Sequence, residues 1–311
     1  MPMSDIATRA APSFDAIVSI KARIPEDAMS AGLLGTERSG HGVRIRDDGL
    51  IATIGYIVNE AESIWIGSRD GTTVPGVALG YDFESGFGLV KPTLPLPGAV
   101  IEIGSSASLS VGDEVLIVSS DTNDEGLTAD VVAKREFAGR WEYLLEEAVF
   151  TAPPHDSWSG AALLDERGRL CGAGSLVIQN FEVDDSLTTV NMFVPIELLM
   201  PIVDDICERG RRRTPPRPWL GLLVDDSHDR LMIVGVYRGC PGDKAGLTPG
   251  DLIIAINGEP VDDLGSLFRS VWRIGSAGAD IPLTIVRDAE PFEAVVQSAD
   301  RALFQRKGTV Q

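Results

Sequence analysis

Residues 156–165 read DSWSGAALLD and place one serine, Ser159, ahead of a glycine and two alanines. A serine hydroxyl is a poor nucleophile near neutral pH. It becomes useful only when a base within hydrogen-bond reach takes its proton. Histidine suits that task, because its ordinary pKa is about 6.5. The chain holds three histidines: His41, His155 and His228. His155 precedes Ser159 in a loop beside Pro153 and Pro154, and His41 lies in a strand-like run. His228 reads as a distant loop histidine. Ser159–Gly160 has a plain structural reading as well, since a turn at a strand entry needs small residues.

The bulk properties bound the answer. A chain of 311 residues has room for about two domains. Its 44% hydrophobic content is ample for packed cores. A net charge of −19 argues against a nucleic-acid partner, which needs clustered cation. Cys171, Cys207 and Cys240 are scattered, with neither metal-ligand spacing nor a disulfide framework. No metal or cofactor is therefore expected. No segment approaches the ~20 apolar residues of a membrane helix, and the polar start MPMSDIATRAAPSFD is unlike a secretory signal. The expected setting is cytoplasmic, or periplasmic if a signal has been removed.

The elements that must position Ser159 read as short strands. Residues 14–23 form a first strand, followed by a loop over 25–40. Asp47-Asp48-Gly49 separates runs at 41–46 and 50–54, and Asp70-Gly71 separates 63–68 from 72–79. Residues 88–91, 114–119, 128–135 and 170–178 supply more. Many short strands with glycine and proline between them argue an all-β barrel or sandwich. A three-residue turn at 47–49 pairs 46 with 50 and so 41 with 55. That register sets His41 beside Gly55 and Tyr56.

Three stretches then recur in a known order. Residues 39–66 (SGHGVRIRDDGLIATIGYIVNEAESIWI), 80–92 (GYDFESGFGLVKP) and 156–165 resemble the histidine, aspartate and serine segments of the HtrA (Deg) branch of trypsin-like serine proteases. The resemblance implies a mainly β fold: a trypsin-like double β-barrel over 12–208. Ser159 takes the nucleophile position. Tyr56 stands at the histidine position, Gly86 at the aspartate position, and Ser157 at a glycine whose N–H helps form the oxyanion hole. A phenol, with an ordinary pKa of about 10, is protonated at neutral pH and takes no proton. A glycine orients nothing. Loss of one oxyanion donor alone costs about 10²–10³ in rate. A relocated base, His41 or His155, is the rescue to be weighed. Trp158 either fills the specificity cleft, caps the serine or packs in the core.

Residues 195–208 (PIELLMPIVDDICE) read as a short helix that Pro201 shortens or kinks. The basic, proline-rich 209–218 (RGRRRTPPRP) reads as a stiff linker, its arginines on the chain's own acidic surface or toward an anionic partner. Residues 219–302 then resemble an HtrA-type PDZ domain, through AGLTPGD and INGEPV in order and spacing. Asn257-Gly258 is a two-residue hairpin turn requiring positive φ. Asp262 is placed to cap a helix running to Arg273. PDZ domains bind chain ends by adding a strand to a sheet edge. By that resemblance Trp219, Leu220, Gly221 and Leu222 form the carboxylate-binding loop. The stretch 222–224 would pair with a peptide, and Leu267, Phe268 and Val271 either wall its side-chain pocket or serve the core.

The expectation is thus a catalytically inactive HtrA-like homologue that binds a protein or peptide C-terminus as scaffold or adaptor. The alternatives are an active endopeptidase using Ser159 with His41 or His155, and a structural subunit of a larger complex. Self-association as a trimer is implied by the resemblance alone.

Overall fold

A computed structural model describes residues 5–121, 126–227 and 230–306. The chain divides into two compact units. The first holds the chain up to Arg135, Glu147–Arg212 and the end from Arg306; the second holds Glu136–Glu146 and Arg213–Gln305.

The first unit contains two closed six-stranded barrels, save for residues Glu136–Glu146 of β8 and β9, which belong to the second unit. Strands β1 (Ile17–Arg23), β2 (Glu37–Arg44), β3 (Ile51–Ile54), β4 (Ser63–Gly67), β5 (Thr73–Tyr81) and β6 (Phe87–Pro92) close in the order β1-β2-β3-β6-β5-β4. Strands β7 (Glu114–Val118), β8 (Leu127–Gly139), β9 (Tyr143–Ala152), β10 (Ala162–Leu164), β11 (Leu170–Val183) and β12 (Ser186–Pro195) close in the order β10-β11-β12-β9-β8-β7. Closure leaves no unpaired sheet edge. The second barrel is filled by Val115, Ile117, Val131, Val149, Leu163 and Phe193, all essentially buried.

The β2–β3 register differs from expectation by one residue. Arg44 opposes Ile51 and Gly42 opposes Thr53, so continuation sets His41 opposite Ile54 rather than Gly55. The cause is the turn. Ile45 and Leu50 close the hairpin (N···O 2.9 Å), Gly49 donates back to Arg46, and Asp48 Oδ1 accepts from the Leu50 amide. Four residues, not three, therefore lie in the connection. Such a one-step shift changes which neighbours every side chain meets.

Residues 195–208 do not form one helix. Two 3₁₀ turns, Ile196–Leu198 and Met200–Ile202, precede the helix Val203–Arg209. Pro201 lacks the N–H that a continuous helix needs there. Beyond it Arg212 grips Asp82 and Glu84, so this arginine meets acid of its own chain.

The second unit is built on one antiparallel sheet. Its strands are β13 (Leu222–Asp225), β14 (Leu231–Val236), β15 (Leu252–Ile256), β16 (Glu259–Pro260), β17 (Asp280–Arg287) and β18 (Glu290–Gln297). The order is β13-β14-β15-β17-β18, with β16 beside β15 and β13 at the edge. Asn257 and Gly258 have φ of 50° and 76°, as the tight turn between β15 and β16 demands. The helix Leu264–Ile274 buries Leu267, Phe268 and Val271 in one apolar cluster with Ile253, Ile281 and Ile285.

The cap of that helix is Asp263, not Asp262. The Asp263 carboxylate accepts from the Ser266 amide at 2.6 Å, and the Ser266 hydroxyl accepts from the Asp263 amide at 3.1 Å. This reciprocal pair satisfies two otherwise unpaired donors. In urea unfolding, Asp263→Ala should destabilise the chain by about 1 kcal/mol, and Asp262→Ala by less than half as much.

Candidate functional site

Ser159 and Tyr56 come together from the two barrels of the first unit. Ser159 ends the loop that enters β10. Tyr56 lies on the helical turn Gly55–Val58 that follows β3. Gly55 is required there, because a Cβ would fall 1.9 Å from the Tyr81 ring. The turn is pinned by the Gly55 amide on the Gly86 carbonyl (2.8 Å) and by the Arg38 guanidinium on the Tyr56 carbonyl (2.7 Å).

The Tyr56 hydroxyl lies 2.9 Å from Ser159 Oγ and 2.8 Å from the Ser175 carbonyl oxygen. A carbonyl only accepts, so the single phenolic proton goes to Ser175. Ser159 is then the donor in its bond to Tyr56. The serine proton thus points at a neutral phenol oxygen. Burial pushes that phenol up to about 12, against the opposing hydrogen bonds with Ser159 and Trp158. At pH 7 a group with that pKa is ionised in roughly one molecule in 10⁵.

His41 does not reach Ser159 Oγ. Its backbone amide donates to the Ser159 carbonyl at 2.8 Å, while its ring points elsewhere. Nδ1 lies 2.8 Å from the Ser120 hydroxyl and accepts from the Ser120 amide at 3.2 Å, and Nε2 lies 3.8 Å from Asp121. Burial lowers the imidazole to about 4; Asp121 opposes this and His155 adds to it. His155 is also occupied. Its Nδ1 accepts from the Ser157 amide at 2.9 Å, and its backbone is clasped by the Asn191 side chain. His228 lies outside the described residues.

The Ser157 N–H, at the position that the resemblance assigns to the oxyanion hole, is spent on an imidazole nitrogen of its own loop. Gly86 adopts φ +85° and serves through its backbone, donating to the Asp82 carbonyl at 2.8 Å. The buried Asp82 carboxylate caps the same turn at the Ser85 amide and binds Arg212. Trp158 is partly buried, neither fully enclosed nor exposed.

In the second unit the backbone amides of 220–222 converge on one carboxylate, that of Glu142. Leu220 N is 3.0 Å from Oε2; Gly221 N and Leu222 N are 2.8 Å and 3.1 Å from Oε1. Gly221 has φ +76°, and a Cβ there would fall 2.6 Å from that of Cys240. Trp219 is buried and contacts the Tyr237 and Phe304 rings. Leu267 and Val271, on the helix Leu264–Ile274, are buried in one apolar cluster with Leu222 and Val224 of β13. Burial pushes Glu142 up to about 7, against the three amides and Arg301, which favour its ionised form. Sequence reasoning missed Glu142. The one local sign is a Trp-Glu-Tyr run at a hairpin tip, where glycine or asparagine is usual.

Family models match residues 40–172 as a trypsin-like peptidase domain and 232–287 as a PDZ domain. Among curated relatives, the Hahella chejuensis protein named "Probable periplasmic serine endoprotease DegP-like" is 26% identical over 88% of this chain and 58% of its own length. A protein of the same name from Chlamydia pneumoniae is 26% identical over 83% of this chain and 54% of its own. The chain thus spans a little over half of these relatives. Among solved structures, the HtrA-type protease AlgW with a tripeptide aligns with TM-score 0.55 and 20% identity, covering 95% of this chain and 96% of that one. The serine endoprotease from Yersinia pestis aligns with TM-score 0.54 and 22% identity, covering 96% and 99%. The chain is mainly β, a trypsin-like protease domain followed by a PDZ domain, the domain make-up of HtrA/DegP-type proteins.

The buried His41 gives a pH test. Its folded pKa lies below the unfolded value, so the unfolded chain binds the extra proton. The associated stability is complete above pH 6.5 and is lost as pH falls toward 4. Between pH 7 and pH 4.5 the native chain should lose about 2–3 kcal/mol more than His41→Gln, measured by urea unfolding.

Proposed function

We propose that this chain is an HtrA-like binding protein whose protease domain does not hydrolyse peptide bonds, and whose PDZ domain takes a protein or peptide C-terminus. The observation that carries the reading is the Ser159 hydrogen bond to Tyr56. Acyl transfer from a peptide needs the serine proton to leave as the C–O bond forms. The phenol that faces it holds its own proton, and neither imidazole has a hydrogen bond to Ser159 Oγ. The Ser157 amide, donated to His155, adds to the same reading. Arg212 on Asp82 gives that carboxylate a structural role in the turn rather than one toward an imidazole.

A second reading has its own support. The curated relatives carry names of serine endoproteases, which favours an active enzyme in which the cleft rearranges and His41 or His155 swings to Ser159. The same names favour the periplasm over the cytoplasm as its compartment. Among the described residues no helix is long and apolar enough to cross a membrane.

A fluorophosphonate probe separates the two readings. The expected result is no mass increase on the purified chain and no cleavage of casein above that of Ser159→Ala. Stoichiometric labelling of Ser159, together with hydrolysis that vanishes in Ser159→Ala, would establish the enzyme instead. Sedimentation over a concentration series tests the trimer that we propose alongside, with a mass near three chains expected.

A further inference from the structure

The amides of Leu220, Gly221 and Leu222 form a cradle shaped for an anion, and the chain fills it with its own side chain. Two further residues of the 136–146 segment also meet the second unit's sheet and core. The Val224 amide on the edge strand β13 donates to the Arg140 carbonyl at 3.1 Å. Leu144 is buried in one apolar cluster with Leu220, Leu222, Leu267, Phe268 and Val271. Carboxylate, backbone and apolar side chain of this segment thus meet the three features by which a sheet edge recognises an extended chain end.

Glu142 also has φ +60°. That region is one which residues other than glycine and asparagine seldom occupy. A glutamate there supplies the side chain that the cradle needs, where a plain turn would be served by glycine. Besides the Arg301 hydrogen bond to the Trp141 carbonyl, the segment is held by ion pairs that are weak ones. Arg269 with Glu136 and Glu146, and Arg140 with Asp225, are partly exposed ion pairs. Pairs of that kind are screened by salt and hold little.

We propose that the carboxylate cradle of the second unit is closed in cis by Glu142, and that the free C-terminus of an extended polypeptide with an apolar last residue displaces it. This rests on the peptide-binding reading given above. The internal carboxylate is tethered, so its effective concentration is high and an incoming chain end competes against it. Apparent affinity then scales with the fraction of molecules in which the cradle is open.

The test uses the full chain, native and Glu142→Ala. Fluorescent decapeptide pools ending in Val, Leu or Phe are titrated by anisotropy, each as free acid and as carboxamide. Glu142→Ala should bind the free acids about tenfold or more tighter than the native chain, with the carboxamides weak on both. Without peptide, hydrogen exchange at the amides of 220–222 should quicken in the variant while β15 and β17 keep their protection. A folding defect would loosen all of them together. Should Glu142→Ala fail to fold, Glu142→Gln removes the charge but keeps an acceptor oxygen, and should show the same gain in smaller measure. Equal affinity of native and variant chains for the free acids overturns self-occupation and leaves the peptide-binding reading standing. Absence of binding to both overturns that reading as well.

Discussion

The proton of Ser159 is aimed at an oxygen whose own hydrogen is already committed, and the first unit is arranged to keep it so. The Ser175 carbonyl from β11 accepts the hydrogen bond of the Tyr56 hydroxyl. Gly55 lets the Tyr81 ring lie against the turn that carries Tyr56, and Arg38 holds the Tyr56 carbonyl from the other side. Gly40 leaves the space in which the serine sits; a Cβ there would fall 2.6 Å from the Ser159 carbonyl oxygen and 3.0 Å from its Oγ. Both barrels must close for this contact to exist, since each contributes one of the two hydroxyls. A neutral phenol in a low-dielectric setting resists ionisation, because burial penalises the charged form. The same geometry that orders the serine sets its hydroxyl against a neutral oxygen.

One physical theme recurs in both units. Backbone amides that point together seek an acceptor, because an unpaired buried N–H is costly. In the first unit the Ser157 amide finds His155. In the second, three successive amides find Glu142. In each case an amide position implied by resemblance to serve a bound group is satisfied from within the chain. The imidazoles follow suit. His41 gives its ring to Ser120 and Asp121, and burial there favours the uncharged ring.

Much of this was legible in the chain's text. Strand-like runs with glycine between them marked the barrels, and AGLTPGD and INGEPV marked the second domain. That Tyr56 and Gly86 stand where they do could be read directly, because a residue type is a sequence fact; the catalytic positions assigned to them rest on the resemblance. The β2–β3 register could not. It depended on whether three or four residues lie in the connection around Asp47 and Asp48, and both choices satisfy the same hydrophobic pattern. The helix cap moved from Asp262 to Asp263 for a similar reason: two adjacent aspartates are equivalent until Ser266 selects one. Residues 195–208 kept their apolar periodicity, but Pro201 broke the hydrogen-bond ladder that periodicity alone suggests.

The sequence by itself determined the chemical inventory: a serine in a small-residue turn, a tyrosine and a glycine at positions that a family resemblance assigns to a base and its orienting acid, and glycines in the turns. These are properties of residue type and short-range spacing. Only the tertiary structure decided which group faces which. The direction of the Ser159 proton depends on a carbonyl in β11, and the occupant of the 220–222 amides arrives from a hairpin tip 78 residues earlier in the chain. Chain folding brings such groups together through closure of barrels and sheets, and no local pattern records a contact that loop closure creates.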